Sequence, residues 1–100
     1  MNELIAKIEQ WGRDRNLHEG ATLYGQYCKL YEEAGELLGA ILSEDESDMK
    51  DAIGDITVVL IRICLKQGWS FQDCVQLAYD EIKDRKGRMV DGVFVKEDQP

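Results

Sequence analysis

Proline, histidine and cysteine are scarce in this chain, and positive charge is in deficit. Pro100 is the only proline, so no residue before it lacks the amide proton that a helix needs. His18 is the only histidine, which leaves the chain without the paired Glu-x-x-His ligands of a di-iron helical bundle. Cys28, Cys64 and Cys74 are odd in number and form no Cys-x-x-Cys motif, which argues against a disulfide framework and against a zinc site. Each cysteine reads as a small buried hydrophobe in a reducing compartment. Twelve basic residues against 20 acidic ones give a net charge of −8, the wrong sign for gripping the phosphates of a duplex nucleic acid. No stretch approaches the roughly 18 uncharged apolar residues of a membrane span. The opening residues lack the basic segment and apolar core of a signal peptide, so the expectation is a cytoplasmic protein. Internal repeats and low-complexity segments are also missing.

What remains is a 100-residue chain, 44% hydrophobic, read as one domain over residues 1–100. Apolar residues recur at helical spacing, and the expected fold is all-α: a four-helix bundle with a short C-terminal tail, assembled as a homo-oligomer. The first helix is expected from Asn2, a good N-cap, to residue 14 or 15, with Leu4, Ile5, Ile8 and Trp11 on one side. Residues 16–20 read as a connection that carries His18. The second helix, residues 21–42, has a seam of Leu23, Tyr27, Leu30, Ala34, Leu37 and Ile41, and its Gly35 and Gly39 point to close backbone approach. Residues 43–47 form an acidic turn without the glycine and ligand spacing of a calcium loop. The third helix, residues 48–67, has the seam Met49, Ile53, Ile56, Leu60 and Ile63, with Gly68 as its C-cap. Ser70 and Asp73 open the fourth helix, whose inner stripe is Cys74, Leu77, Ala78 and Ile82. Its basic end, residues 83–88, complements the helix dipole, and the tail reads as a short extended segment.

Two acidic ridges stand out. On a helix, residues three and four apart share a face, so Glu32, Glu33 and Glu36 form one patch and Asp48, Asp51 and Asp55 another. Like charges at these spacings cost a helix roughly 0.2–0.5 kcal/mol per pair, and docking two such faces costs more. A hard divalent cation reverses the sign, because it takes oxygen ligands from facing helices. The plainer alternative is two solvated faces. Against it stands the run from Ile56 to Lys66, whose only charges are Arg62 and Lys66: a helix apolar nearly all round is buried, and Asp55 at its head is expected to enter the interior. So short a chain cannot cover such a helix alone, hence the expected partner subunit.

The pattern Glu32-Glu33-Ala34-Gly35-Glu36, followed by Gly54-Asp55 and an apolar helix, resembles the MazG-like members of the all-α nucleoside triphosphate pyrophosphohydrolases, a superfamily that includes dimeric dUTPases. The resemblance covers about residues 23 to 95. It departs from the family's Glu-x-x-Asp at Ala52, where a glutamate is expected, and Asp51 or Asp48 is the stand-in. The resemblance implies magnesium- or manganese-dependent hydrolysis of (deoxy)nucleoside triphosphates to the monophosphate and pyrophosphate by a dimer or tetramer. On that basis Glu33, Glu36, Asp51 and Asp55 are the expected metal ligands, and Glu32 the general base or water-orienting residue. Lys83, Lys86 and Arg88 are expected to meet the distal phosphates, with Trp11 or Tyr24 stacking on the base. The competing class is a non-catalytic oligomer-forming or regulatory helical module that has lost the site, with Ala52 in its favour. An acidic protein that mimics nucleic acid ranks third.

Overall fold

Local signals set most of the helix boundaries in a computed structural model that describes residues 2–97. Helix α1 (Asn2–Asp14) begins and ends where its apolar spacing does, although the capping role expected of Asn2 rests on a side chain outside the described ones. A four-residue helix, α2 (Leu17–Gly20), follows Asn16, which adopts a left-handed backbone at φ 61°. Helix α3 (Leu23–Leu42) is capped by Thr22, whose Oγ1 accepts from the Gly25 N–H at 3.0 Å. Helix α4 (Glu46–Gln67) is capped by Asp45, which accepts from the Asp48 N–H at 3.0 Å, and ends at Gly68 with φ 75°. Helix α5 (Phe71–Ile82) starts at Ser70, whose Oγ accepts from the Asp73 N–H at 3.3 Å.

The tail is a hairpin. Strands β1 (Gly87–Val90) and β2 (Val93–Lys96) pair antiparallel with Val90 opposite Val93, across a two-residue turn at Asp91 (φ 50°) and Gly92 (φ 81°). Both turn residues have positive φ, the primed geometry that matches the twist of the flanking strands. The expected four-helix bundle is therefore corrected in two places: residues 17–20 are helical, and the extended tail folds back on itself.

Packing divides unevenly along the chain. The buried apolar cluster is Ile5, Ile61, Cys64 and Phe71, with Ile8, Leu60 and Cys74 against it, so α1, the second half of α4 and the start of α5 share one core. Gly12 is buried there, and a Cβ on it would meet Leu65 Cδ1 at 2.7 Å. The close approach expected at Gly35 and Gly39 occurs at Gly12 instead: added Cβ atoms at the former two meet nothing within 4 Å. Lys66 Nζ donates to the Glu19 carbonyl at 3.0 Å and ties α2 to the end of α4.

Much of the expected seams stays open. Tyr27, Ile41, Ile53, Leu77 and Ile82 are exposed, as are Tyr24, Tyr31 and Leu42. The radius of gyration is 16.2 Å, against about 13 Å for a closed domain of this length. Among the described residues no helix is long and apolar enough to cross a membrane.

Candidate metal centre

The α3–α4 hairpin brings the two acidic ridges together. Glu33 and Glu36, one turn apart on α3, meet Asp55 on α4, and a carboxylate oxygen from each lies within 4.8 Å of the others. The buried member is Glu33, 6% exposed, whereas Asp55 is exposed. The expectation that Asp55 enters the interior is corrected here. Its helix buries the stripe through Ala52 and Val59, and Asp55 sits beside that stripe, where the groove between α3 and α4 opens to solvent.

The electrostatics are frustrated. Among the described residues Lys29 is the only cation paired at the cluster, with Nζ at 3.6 Å from both Glu33 Oε1 and Glu32 Oε2. Glu33 Oε2 is buried and has no hydrogen-bond partner. Glu36 is raised above its ordinary 4.5, first by a hydrogen bond with Glu33, then by the Glu33 charge and desolvation, with Asp55 adding to the effect and Lys29 opposing it. With both carboxyls ionised, Glu33 Oε2 has no donor among the described residues. A buried carboxylate oxygen without a donor costs about 1–3 kcal/mol, more for a charged group.

A divalent cation fits this arrangement. The donors are all hard oxygens on two helices, which suits magnesium or manganese over softer metals. Beside the cluster is a cleft of about 530 Å³ lined by Glu36, Gly39, Ala40, Ser43, Asp48, Asp51, Ala52 and Asp55. Asp51 reaches this cleft but lies outside the three-carboxylate cluster. Asp48 is in the cleft wall too, its carboxyl raised first by the Asp45 charge, then by desolvation, a hydrogen bond to Asp45 and the Asp51 charge. Ala52, 3% exposed, lines the cleft between them.

The other expected site residues are dispersed. Glu32 is exposed and paired with Lys29. Lys83 pairs with Asp80 at 3.9 Å, while Lys86 and Arg88 line a separate hollow of about 410 Å³ at the hairpin with Lys96 and Glu97. Trp11 lies against a hollow of its own between α1 and α4. That hollow includes Arg62, which sequence reasoning treated only as an interruption of an apolar run; its seven-residue spacing from Asp55 was the available signal.

The comparisons agree with the geometry. The family model for the MazG nucleotide pyrophosphohydrolase domain matches residues 25–90, the stretch that contains all three clustered carboxylates. An uncharacterized 18.2 kDa protein in the rep-hol intergenic region of Haemophilus phage HP1 (strain HP1c1) is 44% identical over 61 residues, covering 61% of this chain and 37% of that protein. The match thus spans well under half of that relative's length. No solved structure matches the chain.

Proposed function

The chain belongs to the MazG nucleotide pyrophosphohydrolase domain family, and from that premise we propose that it hydrolyses (deoxy)nucleoside triphosphates between the α and β phosphates, releasing the monophosphate and pyrophosphate. The observation that carries this reading is the pairing of a buried, donor-less Glu33 oxygen with Glu36 and Asp55 in one cluster. Such an arrangement is costly in a binding-free protein, and a bound cation offsets that cost.

Glu33, Glu36 and Asp55 are the ligands in this reading, with Asp51 in the cleft wall as the fourth oxygen donor and Asp48 as its substitute. Magnesium, with manganese as its replacement, supplies positive charge for phosphate oxygens and lowers the pKa of a nearby water when bound. Glu32 is the general base: exposed on the same helix as two ligands, it takes the proton from the attacking water. Lys29 holds Glu32 and Glu33 in register. Lys83, Lys86 and Arg88 are assigned to the distal phosphates, and Trp11 to the base. Among the described residues the strands pack on no helix, which leaves the hairpin cations available to the cleft of a neighbouring copy in this reading.

Self-association is part of the same reading. The exposed tyrosines of α3, the open apolar stripe of α5 and the wide radius of gyration support a second copy as their cover. The setting is cytoplasmic, where nucleotides and magnesium are at hand. Ala52 favours the rival reading, a helical module without catalysis. One assay separates them: pyrophosphate release from a panel of triphosphates with magnesium. Release of pyrophosphate without orthophosphate is expected, and the lack of both with every triphosphate would overturn the enzyme reading.

A further inference from the structure

The hollow between α1 and α4, about 380 Å³, is lined by Lys7, Ile8, Trp11, Val58 and Arg62. Three observations set it apart from ordinary packing. Arg62 does not figure in the ion pairs among the described residues, in a chain of net charge −8. Its Nε is buried and has no hydrogen-bond partner. Its guanidinium stands 5.1 Å from the Trp11 ring centroid, farther than the 4.2 Å of Arg15, which is also fixed by an Nη1 bond to the Trp11 carbonyl at 3.0 Å. Arg15 is seated, while Arg62 keeps free donor capacity beside an aromatic face.

The position of this hollow relative to the acidic cluster is set by α4. Arg62 follows Asp55 by seven residues, which returns it to nearly the same face about 10 Å along the axis. A nucleotide with its phosphates at Asp55 and its base toward the C-terminal end of α4 would bring the base level with Val58 and Arg62. The wall chemistry is one-sided: the polar side-chain groups there, the Lys7 ammonium, the Trp11 indole N–H and the Arg62 guanidinium, only donate hydrogen bonds.

We infer that this hollow seats the base of the substrate, and that Arg62 selects bases with a carbonyl at the purine 6 or pyrimidine 4 position over those with an amino group there. The inference rests on the triphosphate reading above and deepens it. A guanine offers O6 and N7 to an arginine, the pairing that bidentate arginine makes with that base edge, and thymine or uracil offers O4. Adenine and cytosine bring an amino donor to a wall of donors, where it meets no acceptor among the wall side chains. Trp11 and Ile8 provide the apolar faces that flank the ring.

The test is kcat/KM for dGTP, dATP, dTTP and dCTP, measured by pyrophosphate release on the wild type and on Arg62→Gln. The wild type is expected to favour dGTP over dATP by roughly 5- to 150-fold, the discrimination one bidentate contact to a base edge supplies, and dTTP over dCTP by less, through the single O4 acceptor. Glutamine both donates and accepts, so Arg62→Gln is expected to bring the dGTP to dATP ratio to one or below. A wild-type ratio near one would overturn the inference without any variant, and so would a ratio that Arg62→Gln leaves unchanged while both proteins turn over. Calorimetric binding of non-hydrolysable guanosine and adenosine triphosphate analogues with magnesium separates the two layers of the argument. Guanosine-selective binding without turnover of any triphosphate would sink the enzyme reading and support the base pocket; turnover without base selectivity would do the reverse.

Discussion

The two halves of α4 are built for opposite purposes. From Val59 to Leu65 the helix buries Val59, Ile61, Cys64 and Leu65, with Ile61 and Cys64 in the core shared with α1 and α5, and its free energy comes from removing apolar surface from water. From Glu46 to Asp55 it buries only Ala52, and it presents Asp48, Asp51 and Asp55 to a cleft whose opposite wall carries Glu36. One half stabilises the protomer and the other is destabilised by its own charges. The difference teaches that stability and binding are separable here: substitutions that hurt one half should leave the other's task intact.

The largest expected effect is on turnover. Glu36→Gln and Asp55→Asn each remove a cluster carboxylate, and each should lower kcat by at least about 100-fold, the scale on which even residues that merely orient ligands act. In metal-free buffer the same variants should melt at or above the wild-type temperature, because a like charge beside Glu33 is gone. A fall in melting temperature equal to that of a core substitution would erase the contrast between the halves. Next comes Ile61→Ala in the packed half. Ile61 is fully buried, so its truncation should cost about 2–5 kcal/mol in urea unfolding while kcat of the folded protein stays near wild type. Ser70→Ala, at the head of α5, should cost about 1 kcal/mol through the lost cap and leave activity unchanged.

Acidity sharpens the contrast at its smallest scale. Glu36 is raised above 4.5 in the folded chain, so the folded state holds its proton more tightly than the unfolded state does. Metal-free stability should therefore be greatest below the ordinary 4.5 and fall as pH rises through that raised value, with no further change above it. Cation binding requires the ionised carboxylate and should weaken over the same window, at higher pH than an ordinary glutamate would allow. Melting curves with and without magnesium between pH 4 and 7 should converge at the acidic end. Parallel curves would remove Glu36 from the site.

Legibility in the sequence tracked how local each cause was. The ends of α1, the Gly68 cap and the Ser70 cap depend on neighbours within a turn, and the sequence placed all three. The grouping of Glu33 and Glu36 follows from helical spacing, and Asp55 was joined to them by the resemblance. Which carboxylate is buried depends on how α3 docks on α4, whereas the apolar run after Asp55 points to that residue as the one inside. The seams failed for a different reason: Tyr27, Ile41 and Leu77 are patterned for burial, but the described residues leave each of them exposed. Asp91-Gly92 was a readable hairpin signal between short β-branched runs, and the tail should have been read from it. The Trp11–Arg62 hollow needs the crossing of α1 over α4, which no short-range pattern encodes.

A cation shared by Glu33, Glu36 and Asp55 should be visible in titration calorimetry with manganese on the wild type and on Asp55→Asn. Saturable binding by the wild type that is lost in the variant is the predicted result; equal heats from both proteins, or none from the wild type at millimolar manganese, would contradict it.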